Sequence, residues 1–168
     1  STGEGADLIT LLDSGENSAT VISAGADIDA INVRGTGIGS ATDVFGGGGS
    51  DLVNLSSLAG TLDEILGSVC VFGDDHDLGA TQNAEVTAKQ TTVAAEVESG
   101  DLLRISDFSS PSDNTYALSE TTFQRTAATT AGLITYSTIE SLQVETGHGS
   151  YTLNVSSTPS ASHVTVST

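Results

Sequence analysis

Basic residues are nearly missing from this chain: four Lys and Arg stand against 22 Asp and Glu, for a formal net charge of −18. A phosphate backbone needs a basic face, so a nucleic-acid partner is excluded. An anionic membrane surface is excluded on the same ground. No apolar run approaches the roughly 20 residues that span a bilayer. Trp and Met are absent and aromatics make up 4% of 168 residues. Any core must therefore come from Val, Ile, Leu and Ala. The single cysteine, Cys70, allows no internal disulfide; within Val69-Cys70-Val71-Phe72 it reads as a small strand residue. No initiator Met and no signal peptide are visible, which suggests a processed chain, a fragment, or one repeat of a larger protein.

What is abundant is small. Ser and Thr number 23 each and Gly 19. A mean hydropathy of +0.05 and regular aliphatic alternation argue against disorder. The alternation repeats. Gly49-Ser50-Asp51-Leu52-Val53-Asn54-Leu55-Ser56-Ser57 is echoed by Gly149-Ser150-Tyr151-Thr152-Leu153-Asn154-Val155-Ser156-Ser157. An aliphatic–x–aliphatic trio begins at Ile9, Ile31, Val53, Leu103 and Leu153, in steps of 22, 22, 50 and 50 residues. Most trios follow a turn rich in Gly and Asp, such as Gly3-Glu4-Gly5-Ala6-Asp7, Gly25-Ala26-Asp27 and Gly73-Asp74-Asp75. Gly supplies the positive φ of a tight turn, and Asp can cap its own backbone there.

Units this short cannot bury an apolar face alone, whereas stacked units can. The expected fold is all-β: a parallel β-solenoid (β-helix) of about seven 22–25-residue coils, with an insertion near residues 79–99. Asn32, Asn54 and Asn154 hold equivalent places, as a partial ladder or as unrelated exposed strand residues. Residues 106–114, with Pro111, read as a surface loop. Tyr116-Ala117-Leu118 and Thr121-Thr122-Phe123-Gln124-Arg125 read as strands, and residues 61–67 as one helical turn.

The chain also reads as continuing into a second copy of itself. His163-Val164-Thr165-Val166 lacks a following turn and Gly3-Glu4-Gly5-Ala6-Asp7 supplies one. Placing two copies in tandem carries the trio from Leu153 to the next Ile9 in 24 residues. An open solenoid exposes sheet edges at both ends, and a head-to-tail contact that does not close makes a filament. The expected assembly interface is Gly3, Gly5, Asp7, Ile9 and Leu11 against Leu153, Val155, Val164 and Val166.

The stretch Leu133-Ile134-Thr135-Tyr136-Ser137-Thr138-Ile139-Glu140-Ser141-Leu142, with Thr146-Gly147-His148-Gly149-Ser150 and Leu153-Asn154-Val155-Ser156-Ser157-Thr158-Pro159, resembles a repeat of the giant bacterial β-strand-repeat cell-surface proteins. Gly73-Asp74-Asp75 and Leu103-Arg104-Ile105-Ser106-Asp107 are similar to the same pattern. The resemblance implies a secreted, very long, β-helical chain of structural or adhesive type, outside the cell or on its surface, and it supplies no catalytic residues.

Other chemistry is sparse. Gly46-Gly47-Gly48-Gly49-Ser50-Asp51-Leu52-Val53-Asn54 fits the calcium nonapeptide, but that site needs consecutive copies, and a Gly-Asp turn between strands is the favoured account of the residues. Calcium, the one cofactor considered, would fall to Asp51, Asp74, Asp75 and Asp77, with Asp27 and Asp29 next. Asp74-Asp75-His76-Asp77 also reads as a solvated charged turn. His148 and Ser150 share a turn, but no orienting carboxylate or Gly-x-Ser-x-Gly elbow accompanies them. A β-helical polysaccharide-cleaving enzyme would need cations, and only Arg34, Arg104, Arg125 and Lys89 exist. No catalytic residue is assigned. The chain reads as a fibre component whose partner is itself; the alternative is an adhesive module that holds a cell-surface polysaccharide, with the interruptions at 79–99 and 106–114 carrying specificity.

Overall fold

The computed structural model describes residues 3–75, 100–126, 130–160 and 162–168. Its described residues form thirteen strands and no helix. They are β1 (Leu8–Leu11), β2 (Ala19–Ala26), β3 (Ala30–Val33), β4 (Ala41–Gly48), β5 (Leu52–Leu55), β6 (Ser68–Asp75), β7 (Leu102–Ser106), β8 (Asn114–Leu118), β9 (Thr122–Arg125), β10 (Ile134–Ser137), β11 (Ser141–Glu145), β12 (Tyr151–Val155) and β13 (His163–Ser167). Two sheets result. One has six strands in the order β1-β3-β5-β7-β11-β13, all parallel. The other has seven, in the order β12-β8-β9-β10-β6-β4-β2.

Through β6 the chain alternates between sheets, and the sequence steps set the register. Ile9 pairs with Ile31, Ile31 with Val53, and Val53 with Leu103. The trio residues fill the space between the sheets: Ile31, Val33, Val53, Leu55, Leu103 and Ile105 from one side, and Val44, Val69, Val71, Ile134 and Tyr136 from the other. Each isoleucine or leucine so enclosed contributes about 1.5–3 kcal/mol of transfer free energy. In β2 and β4 the backbones lie close enough that only glycine fits. A Cβ on Gly47 (φ +96°) would meet the Gly25 carbonyl oxygen at 2.0 Å.

A single parallel β-solenoid of about seven coils is not what the chain builds. The all-β class holds, but the second sheet is mixed. β8 and β9 pair antiparallel through Leu118↔Phe123, and β9 pairs antiparallel with β10. The cause lies in the link Ser119-Glu120-Thr121. Three residues can close a hairpin, whereas a parallel return needs a dozen or more. Ser119 closes it, its backbone N–H donating to the Thr122 carbonyl and its Oγ accepting the Thr122 N–H. β10 then returns to β6, with Ile134 beside Val69.

The copy at Leu153 is the other error. Leu153–Val155 belongs to β12 in the mixed sheet and pairs with Tyr116–Leu118, not with the Leu103 trio. The true register neighbour of Leu103 is Leu142. The 24-residue tandem join loses its basis with it, because Leu153 and Ile9 lie in different sheets. Residues 61–67 form turns rather than a helical turn, with Ile65 bridging to Thr36. Loop 106–114 is not simply surface, since Asp107 and Ser110 are buried. The insertion near 79–99 lies outside the described residues.

Candidate functional site

Where the chain enters the parallel sheet, acidic residues form a staircase. The Asp7 N–H donates to Asp29 Oδ1 at 2.6 Å, Asp29 N–H to Asp51 Oδ1 at 2.8 Å, Asp51 N–H to Asp101 Oδ1 at 2.7 Å, and Asp101 N–H to Glu140 Oε2 at 2.9 Å. Asp27 reaches down in the same way, accepting the Gly5 N–H at 2.9 Å. Each carboxylate thus caps the turn of the preceding rung, not its own as sequence reasoning expected. The fold requires glycine beneath two steps: a Cβ on Gly46 would stand 2.6 Å from Asp51 Oδ2, and one on Gly73 2.4 Å from Asp101 Oδ2. The lowest rung is open. The Asp7 carboxylate is half-buried and accepts no hydrogen bond among the described residues.

The residues expected to form the assembly interface fall at the two ends of the body. Ile9 and Leu11 lie on β1, an outer strand of the parallel sheet, with Gly3, Gly5 and Asp7 leading into it. Val164 and Val166 lie on β13, the opposite outer strand, and Leu153 and Val155 on β12, an outer strand of the mixed sheet. Val21, on the fourth outer strand β2, was missed. Among the described strands, every exposed large hydrophobic side chain lies on one of these four: Leu8, Val21, Tyr151, Val155 and Val166. None of the four carries Asp, Glu, Lys, Arg or Pro. Lys, Pro and inward charges are the usual protection of an exposed sheet edge. Strand direction also agrees: β12 runs parallel to β8, two antiparallel steps separate β8 from β10, and β10, β6, β4 and β2 are parallel. Both outer strands of each sheet therefore point the same way.

The three arginines are all engaged by neighbouring side chains. Arg125 is buried, its guanidinium bonded to Asp107 at 2.9 and 3.1 Å and to Asp63 at 2.7 Å. Asp107 further accepts from Leu62 N–H, Tyr116 OH and Asn114 Nδ2. Burial, with the Asp107 contact next, pushes the Tyr116 hydroxyl up to about 12. On the other face of the parallel sheet, the register aligns Thr10, Asn32, Asn54, Arg104, Gln143 and Thr165 in one row. Asn54 Nδ2 donates to Asn32 Oδ1 at 3.2 Å, so that part of the asparagine ladder exists, while Asn154 sits exposed on β12. Arg104 pairs with Glu145 through both carboxylate oxygens at 2.7 Å. Among the described residues Arg34, just past β3, meets only neutral acceptors, Asn32 Oδ1 and the Ser56 carbonyl. Burial, and then the Arg104 charge, lower its pKa below the ordinary guanidinium value.

No group of three or more His, Cys, Asp or Glu side chains able to hold a metal occurs among the described residues. Asp51 is committed to the staircase. The side chains of Asp74 and Asp75, and all of His76 and Asp77, lie outside the described residues. His148 packs edge-on against Phe108, with ring centroids 4.3 Å apart, and the Ser150 N–H donates to Asp113. No described helix is long and apolar enough to cross a membrane. No protein-family model, curated protein or solved structure matches the chain.

Proposed function

We propose that this chain is a non-catalytic structural module of an extracellular or cell-surface fibre, and that copies join end to end through their outer strands. The observation that carries the reading is the edge chemistry: uncharged outer strands hold all the exposed large hydrophobics found on described strands. Matching strand direction lets β13 receive β1 of the next copy, and β12 receive β2, with both ladders remaining parallel. The contact is heterologous, so it propagates. Ile9 and Leu11 then cover the aliphatic residues left half-open at Val164 and Leu153. The staircase continues too. Ser162 precedes His163, the register partner of Ser141, and so follows Glu140. Its backbone N–H is the donor the open Asp7 carboxylate of the neighbouring copy would accept. The acidic surface keeps adjacent fibres apart. The resemblance to bacterial surface repeats points the same way.

Sedimentation velocity and electron microscopy of the purified chain test this. The expected result is thin, concentration-dependent filaments that Ile9→Lys or Val164→Lys reduces to monomers of unchanged circular dichroism. A wild-type chain that stays monomeric at high concentration refutes it.

A further inference from the structure

In a chain of net charge −18, two of the four cationic side chains line one groove of about 310 Å³ on the outer face of the parallel sheet. Arg34 and Arg104 share it with Ser56, Ser109, Glu145 and Phe108. Glu145 answers the Arg104 charge. Arg34 finds no carboxylate among the described residues, so the lining carries one positive charge in excess. Among the described residues the buried Ser56 Oγ and Arg104 Nε have no hydrogen-bond partner, and both are closed to solvent. At the lip, the Phe108 ring is 44% exposed and held edge-on by His148. The groove therefore offers a guanidinium for a carboxylate, the exposed Ser109 hydroxyl and an aromatic face.

We propose that this groove binds one uronic-acid unit of an acidic polysaccharide, the sugar carboxylate on Arg34, a ring hydroxyl on the exposed Ser109 and the ring's C–H face on Phe108. A guanidinium pairs with a carboxylate through two parallel bonds, and one excess charge matches a monoanion. The global charge repels acidic ligands at long range, so the contact is short-range by construction. Far-field repulsion is screened by salt while a half-buried ion pair is screened less. Affinity should then hold or rise between low and physiological salt, opposite to a generic basic patch.

Titration calorimetry with trigalacturonic acid and with neutral galactotriose tests the site. The acidic trimer should bind at least tenfold tighter than the neutral one. Arg34→Gln should erase that difference, and Phe108→Ala should weaken both trimers. Glu145→Gln leaves Arg104 uncompensated and should tighten the acidic trimer, a gain that mere loss of structure does not produce. Equal binding of the two trimers, unchanged affinity in Arg34→Gln, or displacement of the trimer by an equal concentration of acetate would each overturn the proposal. Melting curves of each variant confirm that folded protein is being titrated.

Discussion

Replacing Arg125 by Met probes its buried ion pair with Asp107. Arg125 is 1% exposed and Asp107 is 0% exposed. Met keeps the unbranched stem and removes the cation, leaving Asp107 with Leu62 N–H, Tyr116 OH and Asn114 Nδ2 as its remaining donors. Removing one member of a buried pair costs about 3–5 kcal/mol, because the other charge stays desolvated. The second partner adds little: Asp63 is 54% exposed, and an exposed pair is worth about 0–1 kcal/mol. At about 2–4 °C per kcal/mol for a domain of this size, Tm should fall by roughly 6–20 °C. Urea unfolding at neutral pH, under conditions that hold the chain monomeric, measures the loss directly as a shift of midpoint at constant slope. Adding Asp107→Asn to Arg125→Met removes the stranded charge while keeping one acceptor oxygen, for the Leu62 N–H, and should recover part of the loss. A single variant that costs less than about 1 kcal/mol, or a double variant no more stable than the single, refutes the buried-charge account.

Other expectations follow from the same geometry. Asp51→Ala strands the buried Asp29 N–H and should cost about 1–3 kcal/mol by denaturant unfolding, whereas Asp51→Asn retains the acceptor and should cost less. Gly47→Ala drives a methyl group against the Gly25 carbonyl at a positive φ and should lower Tm sharply, while Ala at Gly48, where nothing lies within 4 Å, should not. Tyr116 and Tyr136 have hydroxyls pushed up to about 12, by burial above all. An unfolded tyrosine ionises near 10. The unfolded state therefore loses protons first, so stability is complete below about pH 10 and declines as pH climbs toward 12. A spectrophotometric tyrosine titration alongside melting curves checks the order: Phe at Tyr136 should flatten the decline.

Much of the parallel sheet was legible in the sequence because its signal is local. A strand's side-chain period and the 22-residue spacing of Ile9, Ile31 and Val53 are facts of the chain, and register follows from both. The positions of Ile9 and Leu11 were readable for the same reason, whereas Val164 and Val166 stood outside the trio series and join the parallel sheet through the pairing of β13 with β11. The mixed sheet was not. Leu153-Asn154-Val155 carries the same local pattern as Val53-Asn54-Leu55, and only the intervening hairpin, closed by Ser119 and Thr122, sends it to the other sheet. Sequence spacing cannot tell a repeat from a coincidence once one three-residue turn changes the order of strands.

The chemistry divides in the same way. Composition alone set the strong acidic charge and a mainly aliphatic core, into which Tyr116, Phe123 and Tyr136 also pack. Which carboxylates meet which amides was decided by stacking, because a staircase from Asp7 to Glu140 needs residues from five separate turns brought to strand spacing. The fates of the arginines were likewise tertiary: Arg125 buried on Asp107, Arg104 held by Glu145, and Arg34 left beside it with neutral acceptors. Sequence specifies that a cation exists, but its worth depends on the dielectric and the neighbours around it, and those belong to the fold.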